Sequence, residues 1–548
     1  MSTSDMSKEE LYAHFKGLGN DAFKSQNFPL AIEHYTSAIK ELESEDGHED
    51  LAEKDDVNIM SENLEDVRSH SHKHAHALAI LYSNRAQAQL KLENYGLAIS
   101  DCTISLDHDG LFVKSLYRRA VANYAIRELQ TALHDCKQAR TAAPNDNKIK
   151  VLTNEISQEL KRIRFEQAID VVEKSVFTSI NWDDMGTLDS DSNDVKQTLE
   201  IEVTDEKNGD IVIKKGLTQE YINNMIEVFR DGGKLNKSDA FAIVNAVNTI
   251  FKQEKALVDI GFKKKNNSNG DYLQLENVEK LTVCGDTHGQ YYDVLNIFKT
   301  FGDVSEKHAY LFNGDFVDRG SWGCEVAFLL YALKVLYPTR VFINRGNHET
   351  DDMNSVYGFK DECKFKYNER LFKCFSESFG SLPYCTLIND DYLVMHGGLF
   401  SDDSITLNDL RKINRFHHTH GQPPKTGVEM ELLWTDPQVE EGRSLSKRGI
   451  GLQFGPDITK TFVEKNGLKG VIRSHEVRQE GYEWEHNGLL CTVFSAPNYC
   501  DAQGNFGAVI EMTCPESNGE MKLESLKFEA VEHPNIPPMK YTKNQFGF

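Results

Sequence analysis

The stretch LTVCGDTHGQ sets Asp286 and His288 two residues apart, between Gly285 and Gly289 and directly after a β-rich run. Alternate residues of a strand share a face, and a chain that leaves the strand at a glycine can turn both side chains onto one point beyond its end. A shared cation is the natural occupant. LFNGDFVDRG repeats the device with Gly314-Asp315 and adds Asp318 and Arg319, while VFINRGNHE supplies Asn347 and His348. His396 closes the run YLVMHGG and His475 the run GVIRSHE, so five strand ends present oxygen or imidazole groups. Rigid strands position such groups and the loops beyond them carry the chemistry. Carboxylate, amide and imidazole together suit manganese, iron or zinc better than a calcium cage, and the lack of thiolate pairs argues against structural zinc.

The chain that must position these groups has 548 residues, 39% of them hydrophobic, which allows several units with substantial cores. Its 85 acidic and 61 basic residues give a net charge of −24, which disfavours sequence-independent binding to nucleic acid or to an anionic membrane surface. Any anionic ligand must be held by a local basic site. No apolar run reaches the length of a membrane span, and MSTSDMSKEELYAHF lacks the pattern of a secretory signal. Ten cysteines without a CxxC pair read as buried thiols in a reducing compartment, so a cytoplasmic and nuclear location is expected.

Internal repetition occupies the front of the chain. LYSNRAQAQLKLENYGLAISDC aligns with LYRRAVANYAIRELQTALHDC at an offset of 34 residues, the period of a two-helix unit. FKGLGNDAFKSQNFPLAIEHYTSAI fits the same template, with Gly19, Ala31 and Ala38 where paired helices approach closely. An acidic and then histidine-rich insertion at about 44–76, holding His70, His72, His74 and His76, separates the first unit from the second and is expected to be a solvated loop. Residues 147–165 read as a capping helix, and 166–200 as a linker. The three units resemble tetratricopeptide repeats.

Lys16 and Asn20 lie one helical turn apart, as do Lys114 and Arg118, with Asn84 at the matching face of the middle unit. These five match the carboxylate clamp of tetratricopeptide domains that hold a chaperone tail. The resemblance implies capture of an acidic C-terminal peptide such as that of the 90-kDa heat-shock chaperone.

The set GDTHGQ, GDFVDRG, RGNHE, HGG and SAPNYC resembles the metallophosphatase superfamily, in the form that serine/threonine phosphoprotein phosphatases carry. SKRG and RSHEV resemble the branch with N-terminal tetratricopeptide repeats. The resemblance implies a multidomain protein: an all-α tetratricopeptide solenoid over 8–165, a linker, and an α/β metallophosphatase domain over 201–540 with a central β-sandwich flanked by helices. It implies two divalent metal ions, whether manganese, iron, zinc or magnesium. Asp286, His288 and Asp315 would hold the first, and Asp315, Asn347, His396 and His475 the second. His348 would be the general acid, oriented by Asp318, with Arg319, Arg448 and Tyr499 on the phosphate.

The activity implied is hydrolysis of phosphoserine and phosphothreonine in phosphoprotein substrates by a monomer, held back by the repeat domain until an acidic tail fills the clamp. Glu93 falls where the family places an acidic contact to the catalytic side, and the proline-containing end PPMKYTKNQFGF departs from the family's longer apolar helix. Another metallophosphoesterase and a catalytically silent scaffold are the alternatives. His417, His418 and His420 read as surface loop residues.

Overall fold

A computed structural model describes residues 8–43, 63–168, 175–179, 202–205, 211–214, 217–262, 272–416, 421–514 and 521–542. The expectations for His417, His418 and His420, and for the end of the C-terminal segment beyond Thr542, lie outside them. Contacts divide the chain into two compact units, the first running to Val171 and taking in Ser446–Ile450, the second starting at Val172.

The first unit is a run of antiparallel helix pairs: α1 (Lys8–Lys24), α2 (Phe28–Glu43), α3 (Asn63–Lys91), α4 (Tyr95–His108), α5 (Val113–Ala125), α6 (Leu129–Ala142) and α7 (Asn147–Ala168). Small residues let the helices approach. Ala31, Ala38, Ala86, Ala98, Ala120 and Ala132 are fully buried, and a Cβ on Gly19 would overlap the Tyr35 ring. Each pair turns at a residue of positive φ, Gln26 (62°), Glu93 (60°) and Arg127 (62°), so the repeat is written in the backbone as well as the packing. A polar lock recurs too. Arg85 holds Asp101 through Nε (3.0 Å) and an Nη atom (2.7 Å) while reaching Thr36. Arg119 does the same to Asp135 (2.8 and 2.9 Å) while reaching Thr103.

The insertion is not wholly a loop. Residues 44–62 lie outside the description, but α3 begins at Asn63 and carries His70, His72, His74 and His76 as helix. His76 Nδ1 meets Asp109 at 3.3 Å.

In the second unit two sheets face each other. One runs Lys522–Phe528, Gly507–Thr513, Lys280–Cys284, His308–Phe312, Val341–Ile343 in spatial order. The other runs Tyr482–Glu485, Leu490–Val493, Gly470–Arg473, Tyr392–Met395, Cys385–Ile388, Leu257–Gly261, Tyr272–Gln274. Leu281, Val283, Leu311 and Ile510 from the first sheet pack against Ile388, Val394, Ile472 and Cys491 from the second. Helices cover the outer faces: Gln219–Arg230, Lys237–Gln253 and Gly323–Leu336 on the five-stranded sheet, Pro456–Asn466 on the seven-stranded one. The central strands pair in parallel, so Cys284, Phe312 and Ile343 end at one edge, as do Met395 and Arg473. That parallel arrangement is what delivers the motif loops to one place.

The expectation of a loose linker over 166–200 changes. Within the stretch read as a linker, Ser175 and Val176 bond Glu377 (2.8 and 2.9 Å) and Phe177 is buried in the helical core. A loose connector would leave them in water. Glu202–Asp205 pairs antiparallel with Ile211–Lys214, a hairpin that the acidic, turn-rich composition hides.

Candidate active site

Three of the motif loops leave their strands through strained turns. His288 (φ 41°), Asp315 (50°), Asp318 (66°), Arg319 (66°) and His475 (73°) all sit in the left-handed region that non-glycine residues avoid. Gly314 (φ 85°) is required twice over, since a Cβ there would also overlap the Gly346 backbone nitrogen. Glu349, given no role from the sequence, holds these turns together. It accepts from the backbone N–H groups of Asp315 (2.7 Å), Gly346 (2.8 Å) and Phe316 (3.0 Å). Asn313 is a second omission: its amide donates to the Met395 carbonyl (2.7 Å) and Ser474 Oγ (2.9 Å), tying the two sheets beneath the site. Asn313 closes an apolar run directly before Gly314-Asp315 and Glu349 directly follows Gly346-Asn347-His348, and that adjacency is the signal that could have found them.

The geometry brings the expected ligands together. Asp315 Oδ2 is central, 3.6 Å from His288 Nε2, 3.2 Å from His396 Nε2 and 4.0 Å from His348 Nε2. Asp286 Oδ2 lies 3.6 Å from His288 Nε2, and Asp286 Oδ1 accepts the His475 backbone N–H at 3.1 Å. Two groups of ligand atoms, His288 with Asp315 and His348, and Asp315 with His396 and His475, each lie within 4.8 Å of one another, and Asp315 belongs to both. His348 enters the first group where the sequence reading put Asp286, because its ring faces the same point.

The donor set fits cations. The Val317 carbonyl lies 3.1 Å from His288 Nδ1 and the Asn313 carbonyl 2.9 Å from His396 Nδ1, which puts a proton on each Nδ1 and leaves each Nε2 a lone pair. The Asn347 amide oxygen then stands 2.9 Å from the His396 Nε2 lone pair. Such a pair is repulsive unless the amide turns its nitrogen inward or a cation lies among the donors. Burial pushes Asp286 up to about 7, although the His396 charge opposes it, and burial lowers both His288 and His396. Buried carboxylates so close together need positive charge, and neutral imidazoles are the form that ligates metal. The arrangement suits a dinuclear divalent-metal centre.

Around that centre, His348 Nδ1 meets Asp318 Oδ2 at 2.8 Å, and Asp318 also accepts from Asn354 (2.9 Å) and the Phe359 N–H (2.8 Å). The Arg319 guanidinium stacks 3.9 Å over the Tyr357 ring. Tyr499 lies with its ring 5.2 Å from that of His288. Arg448 occupies the turn after Ser446, whose Oγ accepts its backbone N–H at 3.1 Å. The C-terminal segment is fastened by Ser321 Oγ to the Pro537 carbonyl (2.7 Å) and by Met539 N–H to the Arg319 carbonyl (2.8 Å), and its described residues form an irregular strap.

In the first unit, the clamp candidates fall on alternate helices: Lys16 and Asn20 on α1, Asn84 on α3, Lys114 and Arg118 on α5. The Tyr35 hydroxyl donates to Asn20 Oδ1 at 2.9 Å. Arg118 donates to the Ser83 carbonyl (2.7 Å) and Gln87 Oε1 (2.8 Å), on either side of Asn84 in sequence. Lys114 is exposed.

Comparison with known proteins agrees with this architecture. Residues 279–479 match the calcineurin-like phosphoesterase family, and 153–259 match the PPP5 TPR repeat region, a match that starts within α7. Serine/threonine-protein phosphatase T of Aspergillus oryzae is 47% identical over 99% of each chain. Serine/threonine-protein phosphatase 5 of Homo sapiens is 41% identical over 84% of this chain and 85% of its own. A solved structure described as a protein serine/threonine phosphatase from Saccharomyces cerevisiae, with similarity to human phosphatase PP5, superposes with a TM-score of 0.54 at 51% identity, covering 59% of this chain and all of that one. With motif loops, helix pairs and sequence agreeing over nearly its whole length, the chain belongs to the family of serine/threonine-protein phosphatases 5 and T.

Proposed function

We propose that this protein hydrolyses phosphoserine and phosphothreonine esters in proteins, and that its repeat unit restrains this activity until an acidic peptide occupies the clamp. The observation that carries the reading is Asp315, one carboxylate common to two groups of ligand atoms. Asp286, His288 and Asp315 would hold one cation, and Asp315, Asn347, His396 and His475 the other. When bound, the pair supplies an activated water and neutralises phosphate charge. Manganese, iron, zinc and magnesium all accept this donor set.

The chain's own residues do the rest. Arg319 and Arg448 present planar guanidinium groups to two phosphate oxygens, and Tyr499 adds a hydroxyl donor. Stacking on Tyr357 holds Arg319 in one orientation. His348 gives its Nε2 proton to the departing serine or threonine oxygen, and Asp318 at Nδ1 stabilises the imidazolium that precedes this transfer. Lys16, Asn20, Asn84, Lys114 and Arg118 would take the carboxylates of an acidic C-terminal peptide such as that of the 90-kDa heat-shock chaperone. That partner accords with a cytoplasmic and nuclear location and a monomeric enzyme.

The test is turnover of a phosphoserine peptide with manganese, with and without the chaperone peptide, beside a nucleotide diester. Stimulated phosphopeptide turnover supports the proposal. Preference for the diester would favour a different phosphoesterase, and no turnover with metal bound would leave a scaffold.

A further inference from the structure

Beside the phosphate-binding loop lies a shallow, open cleft that the mechanism does not use. Its lining comes from residues consecutive with the site: Ser321 and Trp322 follow Arg319 and Gly320, and Cys500 and Asp501 follow Tyr499. The same backbone serves both. Gly320 N–H donates to the His288 carbonyl (2.8 Å) and Trp322 N–H to the Gly289 carbonyl (3.2 Å). A group lodged in the cleft is therefore within a few residues' reach of a phosphate at the metal ligands.

The walls are aromatic and the polar groups acidic. Trp322 stands edge-on to Tyr292 (5.2 Å between rings) and to His533 (5.2 Å). Asp293 is 4% exposed and accepts one bond at each oxygen, from Gln290 (2.8 Å) and from the Val531 N–H (3.0 Å). A carboxylate has about four lone-pair sites, so two remain. Asp501 bonds His533 through Oδ1 at 3.0 Å. Two carboxylates against one imidazole leave the cleft electronegative, and ring faces attract cations.

We propose that this cleft receives a lysine or arginine side chain of the phosphoprotein substrate, at one fixed distance in sequence from the phosphorylated residue. A long alkyl stem lies against Trp322 and Tyr292 while its charged end reaches Asp293 and Asp501. The C-terminal strap supplies His533, Ile536 and Pro538, so this selectivity depends on a segment remote in sequence from the metal ligands.

The proposal rests on the phosphatase reading above, and one assay separates the two. Full-length protein with manganese is given phosphoserine peptides in which a single lysine is walked along an otherwise alanine background. One position should raise kcat/KM on the order of fivefold over the all-alanine peptide. That ratio should shrink in Asp501→Asn and invert in Asp501→Lys; Asp501 is exposed, and Asn suits its left-handed backbone (φ 56°) as well as Asp does. Turnover with no preferred position, or a preference that survives Asp501→Lys, overturns the cleft assignment alone. Absence of turnover on every peptide, with manganese binding verified, overturns the phosphatase reading and the cleft with it.

Discussion

His348 and Asp318 form a buried pair, Nδ1 to Oδ2 at 2.8 Å, with side chains 7% and 0% exposed. The carboxylate fixes which ring nitrogen faces the metal ligands. Burial pushes Asp318 up to about 7. Asp318→Asn keeps the shape but removes the charge that supports an imidazolium. It should lower kcat by about 100-fold with little change in KM, and His348→Gln by about 100- to 10,000-fold. Steady-state kinetics on a phosphopeptide decide; loss confined to KM would count against an acid at this position.

Asp315 is the carboxylate on which both ligand groups depend. Asp315→Asn should reduce bound manganese from about two ions per chain to about one or none and cut turnover at least about 100-fold. Elemental analysis of dialysed protein reads the first effect independently of activity. Full occupancy in the variant would show that the carboxylate does not bridge.

Three buried carboxyls sit high: Asp286 and Asp318 at about 7 and Glu349 at about 8, each raised chiefly by burial. The unfolded chain releases those protons near pH 4, so the folded protein binds more of them between about pH 4 and 8. Stability must then fall as pH rises through that window. Metal displaces protons, which removes the penalty. Chelator-treated protein should lose Tm from about pH 5 to 8 more steeply than manganese-loaded protein. Parallel melting curves would refute the linkage.

For the clamp, Lys114→Ala should weaken an acidic C-terminal peptide about tenfold, since a bond to a charged group contributes about 1.5 to 3 kcal/mol. Wild-type affinity should fall with salt more steeply than that of the variant. Calorimetry at two ionic strengths tests this, and equal affinities would remove Lys114 from the clamp.

Asp135 is 1% exposed and pairs with Arg119, whose side chain is 20% exposed. Asp135→Asn strands a partly buried guanidinium and should cost about 2 to 3 kcal/mol, lowering the Tm of the repeat unit by about 5 °C or more. Asp101→Asn breaks the equivalent lock with Arg85 and should behave alike. Near-neutral melting shifts would mean that water replaces both partners.

What could be read from the chain was what repeats or alternates. The 34-residue period, the small residues at helix crossings and glycine-bounded Asp, Asn and His residues after apolar runs are local signals, and they identify repeats and ligands without reference to distant partners. The insertion histidines show the limit. Their alternation reads as a polar loop, yet the register of α3 extends back through them, because a helix already packed along Leu78, Leu81 and Tyr82 continues at little cost.

Tertiary structure alone decided which groups meet. Nothing in sequence pairs Glu349 with three backbone N–H groups, sets Asn313 between two sheets, docks Ser175 on Glu377, or brings His533 against Trp322. Those contacts join residues far apart along the chain, and they follow from parallel strands ending at one edge rather than from any local preference. The left-handed turns at Asp315, Asp318 and His475 belong to the same class. Local propensity opposes them, so only the surrounding packing and hydrogen bonds can hold them in place.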